Sequence, residues 1–148
     1  MAITYHTENE NLPPIKKRIV NKWIQSVAEC YGKKIGEIAY IFCSEAKILE
    51  VNNAYLQHDY YTDIITFDYS EGNRISGDIF ICPDTIKTNA EKFKTFYPEE
   101  LHRIIIHGIL HLCGIDDKAP GERELMEINE NKALSMLPEE AYKNIKQR

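Results

Sequence analysis

Two histidines and one aspartate have types and spacing suited to binding a metal ion. His107 and His111 are four residues apart in LHRIIIHGILHLCGIDD (101–117). Side chains at i and i+4 of an α-helix project from one face, so both imidazoles can bind the same ion. Gly114 is placed to end the helix in the left-handed conformation and to reverse the chain, which brings Asp117 back toward the histidines. The pattern HxxxHxxGxxD therefore predicts a metal site.

Three protein ligands leave one coordination position open, as in catalytic zinc sites. One divalent ion is expected, and zinc is preferred, although two imidazoles and a carboxylate also accept other divalent metals. Asp116 is an alternative third ligand. A competing interpretation makes His107 and His111 core histidines that hydrogen-bond to backbone or carboxylate groups. The coincidence of the paired histidines, the glycine and the acidic residue favours the metal.

Zincin proteases share this spacing, but they place a glutamate directly after the first histidine as general base. The corresponding position in this chain is Gly108. Because the residue that peptide hydrolysis would use is missing, a zinc metalloprotease is the least favoured enzymatic function.

An α+β domain is expected to hold the metal helix. Apolar spacing and capping residues predict the elements in chain order. The first half contains a strand (2–6), a helix entered at Asn11, Pro13 and Pro14 and running to about Tyr31, a strand (37–43) and a helix capped by Ser44 to about Tyr55. The second half contains a hairpin of two strands (63–69 and 77–82), a helix from Pro83 toward Phe96, the metal helix from Pro98, and a closing helix within 121–137. The expected fold is a mixed sheet of about four strands covered by several helices, with a zincin-like metal helix.

Length and composition limit the number of domains and the cellular location. The 148 residues are 43% hydrophobic and 28% charged, which suits one globular domain over residues 1–148. No stretch approaches the roughly 20 apolar residues that cross a bilayer, and MAITYHTENE lacks a secretory signal. No membrane partner and a cytoplasmic location are therefore expected. The cysteines form no CxxC pair and are expected to be buried thiols: Cys30, Cys43, Cys82 and Cys113.

The overall charge does not favour nucleic-acid binding. The formal net charge is −5, whereas proteins usually bind nucleic acid by neutralising phosphates with Lys and Arg. Any RNA binding must therefore use a local patch. The basic residues available for one, each equally explained as a solvated surface residue, are Lys16, Lys17, Arg18, Lys22, Lys33, Lys34, Lys87, Lys92, Lys94 and Arg103.

The run HGILHLCGIDD resembles the signature of the YbeY family, bacterial metal-dependent endoribonucleases that act in ribosomal RNA maturation and ribosome quality control. NNAYLQHDYYTDIITFDY (52–69), SGDIFIC (76–82) and ERELMEINE (122–130) resemble further blocks of the family in the same order. The resemblance implies a single YbeY-like domain and a hydrolase that cleaves single-stranded RNA. Its expected partners are ribosomal RNA and ribosomal proteins.

The resemblance also assigns residues. His107 and His111 take the positions of the family's first two metal ligands, and Asp117 takes the third, which is usually histidine. Leu56 stands where the family commonly has an arginine associated with RNA processing, so His58 or a basic residue elsewhere must supply the lost charge. Asp116 and His58 are the candidate catalytic residues, Asp116 as a group that orients a ligand or accepts a proton. No organic cofactor is expected.

A non-enzymatic function is the alternative from a different class. In it the protein is a ribosome-associated factor, the metal steadies the fold, and the surface binds RNA or a ribosomal protein. Leu56 in place of arginine favours this alternative slightly. RNA cleavage by the purified protein separates the two functions.

Overall fold

The fold is built on a four-stranded sheet. The computed structural model describes residues 2–56, 62–143 and 145. The elements are β1 (Ala2–Glu8), α1 (Lys17–Cys30), β2 (Lys34–Cys43), α2 (Glu45–Leu56), β3 (Ile64–Asp68), β4 (Arg74–Ile81), α3 (Pro83–Phe93), α4 (Tyr97–Leu112), α5 (Glu122–Ser135) and a 3₁₀ helix (Glu139–Tyr142). The strand order is β1-β2-β4-β3, and only the β3–β4 pair is antiparallel. The predicted α+β fold with a mixed four-stranded sheet is confirmed.

Apolar residues cover both faces of the sheet. Ile75, Ile79 and Ile81 alternate along β4 and belong to the larger core, which they share with α1 and α4. A smaller cluster lies on the opposite face against α2 and consists of Cys43, Ile48, Val51, Ile65 and Cys82. Burial of this apolar surface is the main force that fixes α4 on the sheet.

Gly108 marks a close approach between α4 and the sheet. A Cβ atom at this position would lie 2.9 Å from Ile79 Cδ1, 3.1 Å from Ile79 Cγ2 and 3.4 Å from Ile64 Cδ1. Carbon atoms pack best at about 3.5–4.0 Å, so the first two contacts are too short. The missing side chain therefore allows α4 to lie directly against β3 and β4.

Two aromatic side chains, one in α1 and one in the turn after α1, hold α5 in place. Trp23 Nε1 donates a buried hydrogen bond to Ala133 O at 2.7 Å, and Tyr31 Oη donates one to Asn129 Oδ1 at 2.6 Å. These bonds lie on either side of Glu130 in the sequence. The position of Glu130 beside α4 is thus fixed by contacts with a third helix.

Several predicted boundaries differ from those in the structure. Helix α1 begins at Lys17, four residues after Pro13, and Lys16 before it has φ −86° and ψ 88°, outside the helical region. Helix α3 ends at Phe93, where Lys94 adopts φ 55°. The predicted cap of α2 is confirmed, since the Lys47 N–H donates to Ser44 Oγ at 3.2 Å.

Some apolar side chains are exposed. Leu125 and Ile128 point outward from α5, where Met126 and Ala133 are buried. Cys30 is exposed, Cys113 is half-buried, and the prediction of buried thiols holds for the other two cysteines. In the described ranges, no helix has both the length and the apolar character needed to span a bilayer.

Candidate metal centre

Helix α4 ends in the glycine turn predicted from the sequence. Gly114 has φ 102°. Its N–H donates to His111 O at 3.0 Å, and the Ile115 N–H donates to Leu110 O at 3.1 Å. These are the two hydrogen bonds of a Schellman motif, which satisfies the last carbonyl groups of a helix and turns the chain. The turn returns Asp117 toward the face of α4 that carries the histidines.

The structure brings His107 and Asp117 together. Nε2 of His107 lies 3.4 Å from Oδ2 of Asp117. Two ligands bound at the usual zinc distances of about 2.0–2.1 Å in a tetrahedral arrangement lie about 3.3 Å apart. This pair therefore has the spacing of neighbouring ligands of one zinc ion, and the residues fit the metal predicted from the sequence.

Glu130 orients the imidazole of His107. The Nδ1–H of His107 donates to Glu130 Oε2 at 2.7 Å, and Arg103 Nη1 donates to Glu130 Oε1 at 3.2 Å. Glu130 is only 8% exposed. With Nδ1 protonated, the lone pair of Nε2 faces Asp117. Metal-binding histidines characteristically donate their other ring N–H to a carboxylate in this way.

The surroundings of His107 favour a positive charge. Burial lowers the pKa of His107, but the hydrogen bond and charge of Glu130 and the charges of Asp117 and Asp63 outweigh it and raise the pKa overall. Burial raises the pKa of the Asp63 carboxyl, and this effect is opposed by a backbone hydrogen bond and the nearby His107. A field that stabilises a proton on His107 also stabilises a bound cation.

His111 lies near the pair but does not complete a metal site. Its Nδ1 lies 4.0 Å from Asp116 Oδ1, beyond hydrogen-bond distance. In residues 2–56, 62–143 and 145, no group of three His, Cys, Asp or Glu side chains is arranged to hold an ion. The set of His107, His111 and Asp117 therefore stays a prediction. Asp116 is the weaker third ligand, because it is exposed and does not line the cavity described next.

A cavity of about 780 Å³ opens beside these side chains. Helix α4 contributes Glu100, Arg103, Ile104, His107 and His111 to its lining. The remaining lining comes from Asn52, residues 62–66, Asp117, Lys118, Arg123, Met126, Glu127 and Glu130. Ligand-binding clefts usually measure about 300–1,000 Å³, so this one has room for an organic ligand as well as an ion.

Comparisons with known proteins establish the family. Residues 2–138 match the family model described as Endoribonuclease YbeY. The chain belongs to the YbeY family. It is 71% identical to the Endoribonuclease YbeY of Parabacteroides distasonis over 95% of this chain and 99% of that protein. It is also 71% identical to the one of Bacteroides fragilis over 92% of this chain and 98% of the relative.

A solved structure shows the same architecture. The solution structure of a Thermotoga maritima protein matches with a TM-score of 0.64 and 25% identity, over 92% of this chain and 89% of that one. The resemblance to YbeY inferred from the sequence is confirmed, and with it the fold and the enzyme class named by the family.

The YbeY fold explains why a zincin-type glutamate is absent after the first histidine. Position 108 faces the sheet at the close approach to Ile79. A side chain there would collide with the sheet before it could reach the cavity. The structure therefore gives a steric reason to disfavour a metalloprotease.

Sequence reasoning missed Glu130, although the sequence contains a signal for it. Glu130 occurs at helical spacing with Met126, Ala133 and Leu137, which are all buried. A carboxylate on an apolar stripe needs a charged or hydrogen-bonding partner. The predicted metal histidines on the preceding helix were the available partners.

Two of the residues singled out in the sequence lie wholly or partly outside the described residues. His58 lies outside the described residues. Leu56 ends α2, but its side chain also lies outside the described part.

The basic patch predicted around α1 lies apart from the centre. Lys16 Nζ donates to Glu140 O at 2.7 Å, and Lys17 Nζ lies 5.6 Å from the centroid of the Tyr5 ring. In the described part of the chain, Arg103 alone of the predicted basic residues lines the cavity.

Proposed function

We propose that this chain is a metal-dependent endoribonuclease that cleaves single-stranded RNA in ribosomal RNA maturation and ribosome quality control. The enzyme class is supported by relatives at 67–71% identity, each named Endoribonuclease YbeY. The structural observation that carries the proposal is the His107–Asp117 pair, 3.4 Å apart on the cavity wall. This pair offers a cation two ligands beside a space large enough for a nucleotide.

The proposed metal ligands are His107, His111 and Asp117, and zinc is the proposed ion. Their side chains are 18%, 36% and 33% exposed, respectively. His111 is the most exposed of the three and would complete the set of ligands that His107 and Asp117 begin. A bound divalent ion would supply Lewis-acid chemistry, by polarising a phosphoryl oxygen or activating water for attack.

The protein's own residues prepare the site for that chemistry. Glu130 accepts the Nδ1–H of His107, which leaves Nε2, directed at Asp117, as the ring nitrogen that a metal ion can bind. Arg103 Nη1 donates to Glu130, and Arg103 Nε lies 3.8 Å from Glu100 Oε2. Arg103 thereby compensates the carboxylates behind His107.

RNA cleavage by the purified protein tests this function. Wild-type protein should cut single-stranded RNA, and His111→Ala should lose cleavage while retaining its circular dichroism spectrum and thermal unfolding transition. His6→Ala is the matched control, because His6 is an exposed histidine on β1 outside the cavity. It should cut RNA at the wild-type rate.

Two results would contradict the proposal. Cleavage by His111→Ala at the wild-type rate would show that the histidine is not required. A wild-type protein that binds RNA and never cuts it would support the non-enzymatic factor instead.

The proposed location is the cytoplasm, and ribosomal proteins are proposed as additional partners. Both follow from a role in maturing ribosomal RNA. Cell fractionation followed by sedimentation of ribosomal particles should recover the protein in the cytoplasmic fraction with ribosomal subunits. Recovery in a membrane fraction would contradict this part of the proposal.

A further inference from the structure

The cavity is lined by two basic side chains that form no ion pair with the described residues. Lys118 and Arg123 line it, and both are exposed. Neither forms a salt bridge in the part of the chain that the structure describes. Arg103 is the third basic residue of the lining, but it is engaged with Glu130 at 3.2 Å and Glu100 at 3.8 Å. Lys118 and Arg123 are therefore available to an anionic ligand.

The two cations are close in sequence to elements of the candidate centre. Lys118 directly follows Asp117, and Arg123 lies in the first turn of α5. Glu100 lies at the other end of the cavity-lining face of α4, about 16 Å along the helix axis from His111. The lining thus combines these two cations with several carboxylates, among them Glu100 and Glu127.

This charge pattern restricts how RNA can enter. The whole chain carries a net charge of −5, so long-range attraction does not deliver a polyanion to it. Like charges at an interface disfavour binding, and unlike charges fix orientation. A phosphate is therefore repelled by the carboxylates of the lining, such as Glu100, and attracted by Lys118 and Arg123. Lysine offers it a point charge, and arginine offers a fork of paired donors.

We propose that Lys118 and Arg123 form a phosphate-binding subsite that holds the RNA backbone beside the metal centre. This inference rests on the proposed function and names the basic residues that provide the local charge. It also identifies a source for the positive charge that Leu56 does not supply. The subsite binds backbone phosphates and consequently does not distinguish base sequence.

Salt-dependent binding tests the subsite separately from cleavage. The probe is a short single-stranded 2′-O-methyl oligoribonucleotide with a fluorescent label, which resists cleavage, and the readout is fluorescence anisotropy with zinc-loaded protein. For single strands, the slope of log K against log salt changes by about 0.7 per neutralised phosphate. Lys118→Ala and Arg123→Ala should each reduce the slope by about 0.7.

Two further variants serve as controls. Lys132→Ala removes an exposed lysine from α5 outside the cavity and should keep the wild-type slope. Lys118→Arg retains the charge and should also keep it. A fall with Lys132→Ala equal to that with Lys118→Ala would overturn the subsite, because the effect would then reflect overall charge.

The outcomes separate the subsite from the enzyme. Unchanged slopes for Lys118→Ala and Arg123→Ala, together with RNA cleavage by the wild type, would overturn the subsite and leave the proposed function standing. Reduced slopes without any wild-type cleavage would support the subsite and contradict the nuclease.

Discussion

Glu130 is the residue that connects the buried interior to the candidate metal centre. One of its oxygens accepts the Nδ1–H of His107, and the other accepts a hydrogen bond from Arg103. A buried carboxylate is costly unless it is paired. Glu130 is paired with the guanidinium of Arg103 and with the imidazole of His107, whose surroundings favour a positive charge. The same arrangement aligns the imidazole for a metal ion.

Glu130→Gln should weaken metal binding. The amide can still accept the Nδ1–H but lacks the negative charge that makes the imidazole a stronger ligand, so the affinity for zinc should fall by about 10-fold to 100-fold. Competition with a chromophoric chelator measures this change. Glu127→Gln is the control, because Glu127 lines the same cavity but is exposed. Equal affinities for wild type and Glu130→Gln would contradict the role of Glu130.

His102 is a second buried histidine with a different environment. Its Nδ1–H donates to Pro98 O at 2.6 Å. Its buried Nε2 has no hydrogen-bond partner in the described residues. Burial lowers the pKa of His102, and the hydrogen bond to Pro98 offsets only part of this effect. The folded protein therefore holds this imidazole neutral where the unfolded chain would bind a proton.

Acid should destabilise the protein through His102. The pKa of His102 in the folded protein lies below the unfolded value of about 6.5. The neutral imidazole therefore contributes its full stability above roughly pH 6.5, and this contribution is lost as the pH falls toward the folded pKa. His102→Phe should lack this loss. Urea unfolding from neutral pH to about pH 5 measures the difference in unfolding free energy between the two proteins. A difference independent of pH would contradict the prediction.

At the scale of elements, α4 satisfies two geometric demands. It packs against the sheet at Gly108, and it ends in the Schellman turn at Gly114. The first fixes the height of the helix above β3 and β4. The second determines where Asp117 returns. The His107–Asp117 distance depends on both glycines.

Gly108→Ala should destabilise the fold. Helix propensity alone would make alanine more stable by about 0.5–1 kcal/mol. The collision of its Cβ with Ile79 should cost about 1–3 kcal/mol, which outweighs this gain and leaves a net loss of about 1 kcal/mol in the free energy of unfolding. Urea denaturation measures the loss.

A second substitution checks the cause of that loss. Ile79→Val removes Cδ1, the atom 2.9 Å from the added Cβ. The double variant should therefore lose less than the sum of the two single variants. A Gly108→Ala protein more stable than wild type would contradict the close packing of α4.

The types of element could be predicted from sequence better than their ends. Apolar periodicity and the Ser44 cap are local, and they correctly predicted the strands, the helices and the cap. Helix α1 starts at Lys17, later than the prolines predict. Helix α5 was predicted, but its buried face was not: Met126 and Ala133 are buried, whereas Leu125 and Ile128 are exposed. Which face of a helix is buried depends on its neighbours.

At the scale of the molecule, the cavity arises where α4, α5, β3 and the turn after α4 meet. The predicted ligands lie within eleven residues of one another, so helical spacing and one turn were enough to predict them. Glu130 is 23 residues from His107. Its contact depends on the packing of α5, which Trp23 and Tyr31 hold in place. Local patterns could not predict that contact.

The metal content of the purified protein tests the central claim most directly. After loading with zinc and removal of unbound metal, elemental analysis should find one ion per chain in the wild type and in His6→Ala. Asp117→Ala should remain folded and lose the ion under the same conditions, because removal of the carboxylate leaves only two imidazoles to hold the zinc. One tightly held zinc ion in Asp117→Ala, or none in the wild type, would contradict a centre built from His107, His111 and Asp117.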